Sequence, residues 1–564
     1  MKVAIIGGVA GGASCAARLR RLDENAEIIL VERGPYMSYA NCGLPYHVGG
    51  VIQDEAELLV ASAELFREQF NIDARVNCEA ISVDAAAKTV DLRDLTMGDV
   101  TTVSYDKLVL SPGAKSVRPP IPGIDLPGIF EVRTVPDTRV IRQWIEKGSP
   151  FLSGMHKYSG FQTARPKTRA VVVGGGFIGL ETAENLVHRD LDVTVVEMAD
   201  QILMPLDREM ALIAEKHLER HGVRLVLGDG VASFSPAQHG GLDVTTQSGS
   251  VYSADIVIVS LGVKPDTMLA KSAGVDIGER GGIRTDDRMV TSDPDILAVG
   301  DAVEVRDFVT GEWSLIALAG PANRQGRIAA DVIAGRDARF RGTQGTSVIG
   351  LFDGTAAWTG QSEKALKRRG DDDYEKIYIY PNSHAGYYPG ARPIAMKVLF
   401  RKSNRKLLGA QALGLDGVDK RISTLAFALQ MGATIDDLAE AELCYAPPYG
   451  SAKDPVNFAG MVAADVLSGD MPIRHWDNAE EGFLLDVREL PELAVECVEG
   501  VKHIPLGQLR GRVDELPKDR EILVVCRSGQ RAYYATRMLL QMGLKASVVS
   551  GGMLSHFQNG VLDA

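Results

Sequence analysis

The sequence predicts an α/β protein built from several domains. Two separate stretches repeat one pattern: a short apolar strand, a glycine-rich turn, a helix, and a second strand that ends in a glutamate. A third strand, followed by a tight loop and a helix, lies near the C-terminal end. Because 564 residues are too many for one hydrophobic core, we expect about three to five domains.

The first repeat begins at residues 3–6 (VAII), which form the predicted strand. The glycines that follow it are Gly7, Gly8, Gly11 and Gly12. Such glycines let the backbone turn tightly and approach a pyrophosphate at a helix N-terminus, while an acid on the next strand accepts from a ribose hydroxyl. Val9 stands where the usual middle glycine would be, but Glu32 has the expected spacing. The repeat therefore predicts a dinucleotide site.

The second repeat has the complete glycine fingerprint. After the strand-like RAVVV come Gly174, Gly176 and Gly179, and the next strand ends at Glu197. A carboxylate at this position repels a 2′-phosphate, so the repeat favours NADH over its phosphorylated form. Two unrelated glycine turns would not reproduce all four elements of the pattern.

A third stretch, TSDPDILAVGD, ends in Gly300 and Asp301, and the segment YDKLVLSPGA contains Gly113. With these motifs, residues 1 to about 465 resemble the pyridine nucleotide–disulfide oxidoreductases, which are flavoproteins with two dinucleotide folds. The resemblance implies two nested Rossmann-like domains, with FAD at the first fold, Asp301 on the ribityl chain of the flavin, and NADH at the second fold.

A single cysteine, Cys42, lies in the loop SYANCGLPYHVGG at residues 38–50. Many family members have a second cysteine five positions later, where this chain has His47. The chain therefore resembles the single-cysteine branch, which includes coenzyme A-disulfide reductases, NADH oxidases and NADH peroxidases. In that branch the cysteine alternates between a thiolate and a sulfenic acid or a mixed disulfide. A thiolate needs an electropositive environment or a helix N-terminus; an inert buried cysteine is the alternative.

The segments HAGYYPGA and YAPPYGSAKDPVN resemble the coenzyme A-disulfide reductase subgroup. There, the residues matching Tyr387 and Tyr445 come from the partner subunit and approach the active cysteine, so we predict a homodimer, catalytic roles for both tyrosines, and a cofactor contact for Tyr445. Aromatic interface anchors are the alternative. The residues that match the coenzyme A site of the subgroup are Ser14, Arg18, Arg21, Ser38, Asn41, Asn323 and Lys453.

The tail of the chain carries a second candidate thiol. The strand EILVV runs into the loop Cys526–Arg531 and then a helix. Such a loop directs backbone N–H groups inward and favours a nucleophilic thiolate that holds an extra sulfur, with Arg527 and Arg531 neutralising the charge. A phosphatase loop would need its arginine one position later, at Ala532. The tail resembles a rhodanese domain, and a catalytically inactive rhodanese fold is the alternative.

These patterns predict an α/β fold with two nested Rossmann-like domains, an α+β dimerisation domain and a C-terminal α/β rhodanese domain. The segment 150–168 is longer than its junction needs, and no role is predicted for it. The predicted boundaries are 1–115 and 254–325 for the FAD-binding domain, 116–253 for the NADH-binding domain, 326–465 for the dimerisation domain, 466–476 for a linker and 477–564 for the rhodanese domain.

Composition narrows the function classes. A net charge of −13 argues against nucleic acid as a partner, and no apolar run is long enough to span a membrane. Six cysteines are too few for a disulfide scaffold in so long a chain, so we expect a cytoplasmic protein with reduced thiols. No metal site is predicted.

The two thiols together predict one pathway. We expect NADH to reduce persulfides, polysulfides or coenzyme A (per)disulfides through FAD, releasing hydrogen sulfide and thiol. Cys42 is the predicted redox thiol, and Cys526 is the predicted sulfur carrier, which takes sulfur from small molecules or protein persulfides. The alternatives are a plain coenzyme A-disulfide reductase, a water-forming NADH oxidase, and a flavin-based sulfur or redox sensor.

Overall fold

The computed structural model describes residues 1–147, 168–238, 240–558 and 561–562. Residues 150–167 of the long segment 150–168 therefore lie outside the described part of the chain. Two compact units are present. The first comprises Met1–Asp200 and Gly222–Gly345, and the second comprises Gln201–His221 and Thr346–Ala564. Every helix in the described ranges is too short or too polar to cross a lipid bilayer.

The first unit contains a sheet of five parallel strands whose apolar side chains are almost fully buried. The strand order is Ile296–Ala298, Lys107–Leu110, Lys2–Ile6, Glu27–Val31, Asp73–Arg75. Helices in this part of the chain are Ala10–Arg20, Leu44–Gly49, Ala63–Phe70, Met268–Ser272 and Ala319–Ile333. An antiparallel sheet is inserted in the chain between the strands Asp73–Arg75 and Lys107–Leu110. It consists of Cys78–Asp84, Thr89–Asp94 and Val100–Ser104.

A second five-stranded parallel sheet repeats this plan. Its strand order is Arg224–Leu227, Asp192–Glu197, Arg169–Val173, Ile256–Val259, Ile129–Phe130. The helices Val135–Lys147 and Phe177–His188 belong to this region, and its antiparallel insertion is Val231–Pro236, Leu242–Thr246 and Val251–Ala254. Small sheets formed by Ala114–Ser116 with Val263–Pro265, and by Ile283–Arg284, Val303–Arg306 and Trp313–Ser314, complete the unit.

One predicted domain boundary is wrong. Residues from 254 onward were assigned to the first dinucleotide domain, yet the strand Ile256–Val259 pairs in parallel with Arg169–Val173 in the second sheet. A short, wholly apolar strand fits the interior of either sheet, so only its hydrogen-bonded partner reveals where it belongs.

The second unit is built on a five-stranded antiparallel sheet. Its strand order is Ser347–Leu351, Gly354–Gly360, Leu407–Gly414, Ile394–Arg401, Tyr374–Ile379. The accompanying helices are Glu363–Arg368, Val418–Gln430, Ile435–Glu440 and Pro455–Ser468. The helix Arg208–Arg220 also belongs to this unit, although it lies inside the range predicted for the NADH-binding domain. Its anchor is Lys397, whose buried ammonium binds Asp207 and Glu209 at its N-terminal end.

The C-terminal part of the second unit is a sheet of five parallel strands. Their order is Ile473–Arg474, Ala546–Val549, Ile522–Val525, Phe483–Asp486, Lys502–His503. The helices here are Leu490–Leu493, Gln530–Gln541 and Gly552–Phe557. The predicted linker 466–476 is therefore mostly structured, because the helix before it continues to Ser468 and residues 473–474 form an edge strand. A two-residue strand carries no periodicity that a sequence pattern could reveal.

This C-terminal domain packs against the antiparallel sheet of the same unit. The backbone N–H of Tyr378 donates to Ser550 Oγ at 3.2 Å, and His475 Nε2 lies 3.2 Å from Glu375 Oε1. The Lys216 ammonium donates to the Phe557 carbonyl at 2.7 Å. These contacts join the domain to two separate elements of the unit rather than leaving it on a free connector.

Candidate active site

The first glycine turn has the close backbone packing that a dinucleotide site requires. Gly7 has a φ of +104°, and a Cβ there would collide with the Ser111 carbonyl. A Cβ at Gly12 would collide with the Gly7 carbonyl. The helix that starts at Ala10 can therefore approach the strand closely, with its N-terminal N–H groups directed at the turn.

The second turn has the same construction. A Cβ at Gly174 would strike the Ser260 carbonyl, and one at Gly179 would strike the Gly174 carbonyl. The space beside Gly176 is empty, since no heavy atom lies within 4 Å of its imagined Cβ. This open position lets a phosphate group approach the backbone.

The two strand-terminal acids are oriented identically. The carboxylate of Glu32 accepts from the N–H of Gly8 at 2.8 Å and from the N–H two residues after itself at 2.8 Å. Glu197 accepts from the N–H of Gly175 at 2.7 Å and again from the N–H two residues on, at 2.8 Å. Each acid is thus fixed at the edge of its turn, where a ribose hydroxyl of a dinucleotide would lie. The residues present fit one dinucleotide in each fold.

Gly300 and Asp301 form a short 3-10 turn after the strand Ile296–Ala298. The Gly300 N–H donates to Gln325 Oε1 at 2.7 Å, which ties this turn to the helix Ala319–Ile333. Burial raises the pKa of Asp301, and the charge of Arg133 partly opposes that effect. Gly113, with a φ of +68°, lies in the turn after Lys107–Leu110.

Cys42 lies in the 3-10 turn Asn41–Gly43, directly before the helix Leu44–Gly49, and its thiol is exposed and free. All six cysteines of the chain are free. Burial raises the pKa of Cys42, and the negative charges of Glu181 and Asp301 raise it further. Of the two settings expected to favour a thiolate, the structure provides the start of a helix, whereas the side-chain charges that act on this thiol are acidic.

Glu181 is a residue that the sequence interpretation missed. It lies in the helix Phe177–His188, and its carboxylate accepts a hydrogen bond from the Tyr46 hydroxyl at 3.2 Å. Burial raises the pKa of Glu181 to about 7, with a further contribution from Glu184. A lone acid on a helix of the second fold carries no sequence signal for this role. Only the packing of that helix against Leu44–Gly49 brings it near Cys42.

The structure brings together two of the residues predicted to bind coenzyme A. The Ser14 hydroxyl donates to Asn323 Oδ1 at 2.5 Å. Arg18, by contrast, is committed to Asp331, which accepts from its guanidinium at 2.8 Å. The phosphate-binding role predicted for Arg18 therefore competes with an ion pair inside the protein. Arg21, on the same helical segment, is exposed.

Three further residues of that set have distinct settings. Ser38 has a φ of +39° in the loop before Cys42, and its N–H donates to the Gly8 carbonyl at 2.8 Å. The Oδ1 atom of Asn41 is buried and has no hydrogen-bond partner in the described ranges, so it is available to a ligand. Lys453 is exposed and belongs to the second unit.

Tyr387 and Tyr445 form a pair in the second unit, with their hydroxyl oxygens 2.7 Å apart. Tyr387 is 76% exposed and Tyr445 is 47% exposed. The hydrogen bond with Tyr445 raises the pKa of Tyr387. Two large aromatic side chains on the surface of one chain are typical of residues that a partner covers.

In the C-terminal domain, Cys526 follows the strand Ile522–Val525 and is only 1% exposed. Its sulfur accepts from the N–H groups of Gly529 at 3.2 Å and Ala532 at 3.4 Å. Gly529 has a φ of +97°, which permits the turn of the loop. The loop therefore forms the predicted cradle of N–H groups around a sulfur.

Arg531 of this loop interacts electrostatically with Cys526, and its guanidinium is also bound to an acid. Arg531 makes two hydrogen bonds of 2.7 Å to the carboxylate of Glu492, and this contact lowers the pKa of Glu492 to about 2. The positive charge of Arg531 is thus already neutralised by the protein. Arg527 is exposed. A second, fully buried pair joins Asp486 and Arg488 at 2.8 Å.

Three family models match successive parts of the chain. The family model for pyridine nucleotide-disulphide oxidoreductase matches residues 1–326, the model for the dimerisation domain of that family matches residues 347–455, and the rhodanese-like domain matches residues 472–556. A relative, the coenzyme A disulfide reductase of Staphylococcus haemolyticus, is 33% identical over 466 residues, which are 82% of this chain and 100% of the relative.

Two solved structures resemble nearly the whole chain. Reduced Bacillus anthracis CoADR-RHD shares 45% identity with a TM-score of 0.93, and covers 98% of this chain and 97% of its own. A NAD-dependent persulfide reductase from A. fulgidus shares 38% identity with a TM-score of 0.89, and covers 98% of this chain and 100% of its own. The predicted fold class, and the prediction of an oxidoreductase that uses FAD and NADH, are confirmed. This chain belongs to the pyridine nucleotide-disulphide oxidoreductase family and carries a C-terminal rhodanese-like domain.

Proposed function

We propose that this enzyme uses NADH to reduce sulfane sulfur, held as a persulfide, a polysulfide or a coenzyme A persulfide or disulfide, and that it releases hydrogen sulfide or a thiol. One observation carries the proposal: the same chain holds an exposed, unpaired Cys42 in its flavoprotein part and a Cys526 surrounded by N–H donors in its rhodanese-like part. A similar chain, from A. fulgidus, is a NAD-dependent persulfide reductase.

The chemistry at Cys42 follows from its exposure. Its thiolate attacks the inner sulfur of a persulfide R–S–SH, which forms the mixed disulfide Cys42–S–S–R and expels HS⁻. Two electrons then cleave the new S–S bond and restore the Cys42 thiolate together with RS⁻. The first glycine turn with Glu32 would hold FAD, which would supply those electrons, and the second turn with Glu197 would hold the NADH that replenishes them. The sum is R–S–SH plus two electrons and two protons, giving RSH and hydrogen sulfide.

Glu181 holds a proton beside this thiol. Because its pKa is about 7, a substantial fraction of the carboxyl is protonated at neutral pH. The Tyr46 hydroxyl bonded to it fixes the position of the carboxylate at 3.2 Å. We assign Glu181 the task of supplying a proton to the leaving sulfur; because Cys42 is regenerated as a thiolate, the carboxylate regains this proton from solvent.

Coenzyme A binds, in this proposal, along the edge of the first glycine turn. The bonded pair Ser14 and Asn323 and the unpartnered oxygen of Asn41 offer polar contacts to a pantetheine arm. Arg21 offers an exposed cation to its phosphates. The relatives named coenzyme A disulfide reductase support this choice of ligand.

The working assembly is a homodimer in which the dimerisation domain completes the site of the partner. The exposed pair Tyr387 and Tyr445 provides hydroxyl groups that donate to a developing thiolate or hydrosulfide. Cys526 takes sulfur from a donor and presents it as a persulfide within its cradle.

Steady-state oxidation of NADH with different acceptors tests the proposal. We expect the fastest turnover with polysulfide or coenzyme A persulfide, slower turnover with coenzyme A disulfide, and the slowest with oxygen. Cys42→Ser is expected to abolish turnover with every sulfur acceptor and to retain FAD, whereas Cys444→Ser, which alters another exposed cysteine, should behave as the wild type. Oxygen as the best acceptor would instead identify a water-forming NADH oxidase.

Cys526→Ser separates the two thiols. We expect this variant to reduce small disulfides at the wild-type rate and to lose sulfur transfer from thiosulfate or a protein persulfide. If all sulfur donors were used equally well by the variant, the rhodanese-like domain would have no part in the reaction.

A further inference from the structure

Three side chains with metal-binding atoms meet in the second unit, outside the site described above. His217 is buried in the last turn of the helix Arg208–Arg220, and His221 follows four residues later, on the same face. Asp353 lies in the tight turn that follows the strand Ser347–Leu351. One ligand atom from each of the three lies within 4.8 Å of the others.

The separations between these atoms match the edges of a metal coordination shell. His217 Nε2 lies 3.0 Å from Asp353 Oδ1, and His221 Nε2 lies 3.4 Å from the same oxygen. The carbonyl oxygen of Leu351 is also 3.0 Å from His217 Nε2. In a tetrahedral zinc site with N and O ligands, neighbouring ligand atoms are about 3.3 Å apart. Three side-chain donor atoms thus lie at such distances from one another, and the Leu351 carbonyl oxygen is adjacent to one of them.

The hydrogen bonds of His221 leave a lone pair directed at this volume. Its Nδ1 lies 3.0 Å from the His217 carbonyl oxygen, so Nδ1 carries the proton and donates to that carbonyl. In the neutral ring, Nε2 is then an acceptor that faces the carboxylate of Asp353. Two acceptors face each other stably only when a cation or a proton lies between them. A ring whose other nitrogen donates to a backbone carbonyl is the usual form of a metal-binding histidine.

His217 is compatible with the same role. In the chain without metal, the Nε2–H group of His217 donates a hydrogen bond to the Leu351 carbonyl. Its Nδ1 is buried and has no hydrogen-bond partner in the described ranges, so moving the proton there frees Nε2 for a metal and gives up the bond to the Leu351 carbonyl.

The backbone around the cluster keeps this geometry. Phe352 has a φ of +58°, at a turn position that normally selects glycine, and its ring stacks on His221 with the centroids 4.3 Å apart and the planes 9° from parallel. A Cβ at Gly354 would come within 2.9 Å of His217 Nε2. Glycine therefore keeps the space beside that nitrogen open, while the phenyl ring holds the second imidazole in place.

Another cluster of acids in this unit already contains a cation, which is a lysine side chain. Asp207, Glu209 and Glu363 also gather their oxygens closely, but the ammonium of Lys397 lies among them at 2.5–2.9 Å. The chain supplies the cation there. At Asp353 the neighbouring groups are two imidazoles, which are ligands rather than permanent cations.

We propose that His217, His221 and Asp353 bind one divalent transition-metal ion of the zinc type, with the Leu351 carbonyl or a water as the fourth ligand. Two imidazole nitrogens select Zn²⁺ and related ions over Mg²⁺ and Ca²⁺, which prefer oxygen ligands.

The role of this ion is structural. It fastens the end of the helix Arg208–Arg220 to the turn that contains Asp353. The same helical end holds the C-terminal segment, since Lys216 donates to the Phe557 carbonyl at 2.7 Å and Arg220 donates to the Leu562 carbonyl at 3.1 Å.

Metal binding by the full-length enzyme tests the site. The protein is stripped with a chelator, titrated with Zn²⁺ in a calorimeter, and analysed for bound metal after gel filtration. We expect His221→Ala and Asp353→Asn each to bind one zinc fewer per chain than the wild type, or to bind it at least tenfold more weakly. The controls His188→Ala and Asp372→Asn, which alter an exposed histidine and an exposed acid elsewhere, should match the wild type.

Co²⁺ identifies the ligands and excludes the cysteines. We expect visible d–d bands of a four-coordinate nitrogen and oxygen site in the wild type, and their loss in both variants. Equal metal content in all five proteins, or spectra with only thiolate-to-metal charge-transfer bands, would overturn the proposal. Because His221 and Asp353 are partly exposed, both variants should melt at the wild-type temperature when no metal is present, which verifies their folding.

Discussion

At the scale of single residues, acids rather than cations surround the redox thiol. Burial and the charges of Glu181 and Asp301 all raise the pKa of Cys42. The thiol is thus harder to ionise than a cysteine free in water, and its ionisation is coupled to the protonation of Glu181, whose pKa is about 7. A carboxyl that is neutral below this pH and charged above it opposes the thiolate most strongly on the alkaline side.

Glu181→Gln should therefore lower the pKa of Cys42. The amide has no charge, so one of the two negative charges that oppose the thiolate is removed. The rate of alkylation of Cys42 by iodoacetamide, measured against pH with peptide mass spectrometry, should show its midpoint at lower pH than in the wild type. Glu57→Gln, at an exposed position, serves as the control. An unchanged midpoint would exclude Glu181 as the group coupled to this thiol.

A second single-residue effect concerns the sulfur-carrying loop. Glu492 neutralises Arg531, and its pKa of about 2 lies below the ordinary value of a glutamate. A depressed pKa means that the pair is fully formed above about pH 4.5 and is lost only as the pH falls towards 2. Both side chains are about 30% exposed, so solvent screening limits what the pair adds to stability.

Glu492→Gln should release Arg531 towards anions. We expect the KM for thiosulfate in sulfur transfer to cyanide to fall several-fold, because the guanidinium no longer faces a carboxylate. Glu499→Gln, an exposed acid of the same domain, should leave KM unchanged. A rise in KM would mean that the ion pair holds the loop in position, and that it does not keep the Arg531 guanidinium from binding anions.

Residues could be predicted from the sequence where their chemistry is local. The glycines, the strand-terminal acids and the two thiols sit in short motifs, and the structure gives the glycine turns and Glu32 and Glu197 the expected form. Partners distant along the chain were not predictable. The commitment of Arg18 to Asp331 and the approach of Glu181 to Cys42 arise from tertiary packing alone.

At the scale of elements, one short helix stabilises the Cys526 loop. The helix Gly552–Phe557 begins with the N–H of Met553 donating to the Cys526 carbonyl at 2.9 Å. The next N–H, of Leu554, donates to the Arg527 carbonyl at 2.9 Å. Gly552 is required for this contact, because a Cβ there would collide with the Cys526 carbonyl.

Gly552→Ala should therefore impair sulfur transfer, while Gly543→Ala should not. Both glycines have a positive φ, of +57° and +82°, so each alanine costs about 1–2 kcal/mol of stability from backbone strain. Only the first also pushes against the Cys526 loop, since nothing lies within 4 Å of a Cβ at Gly543. We expect at least a tenfold loss of thiosulfate:cyanide transfer in Gly552→Ala alone, measured at a temperature where both variants are folded. Equal transfer activities of the two variants would show that the contact between this helix and the Cys526 loop does not matter for sulfur transfer.

Elements with strong periodic patterns were predictable, and very short ones were not. The strand–turn–helix units around Gly7 and Gly174 appear as expected. The strands Ile256–Val259 and Ile473–Arg474 were misplaced, because their identity depends on hydrogen bonds to strands far away in sequence.

At the scale of the whole molecule, the proposed dimer gives the exposed tyrosine pair a function. Tyr387 and Tyr445 bond to each other at 2.7 Å on the surface of the second unit. If each active site combines Cys42 of one chain with the tyrosine pair of the other, a chain without the thiol still contributes its tyrosines to its partner. A chain without the tyrosines still contributes its thiol. Inactive chains of the two kinds should then complement each other.

Hybrid dimers test this arrangement. The Cys42→Ser enzyme and a Tyr387→Phe/Tyr445→Phe enzyme are each expected to be nearly inactive as homodimers. After mixing, partial unfolding and refolding in equal amounts, half of the dimers are hybrids, and each hybrid has one intact site, so activity should recover to roughly a quarter of the wild-type value. Mixing without dissociation serves as the control. No recovery, with hybrid formation verified by native mass spectrometry, would show that each tyrosine pair serves its own chain.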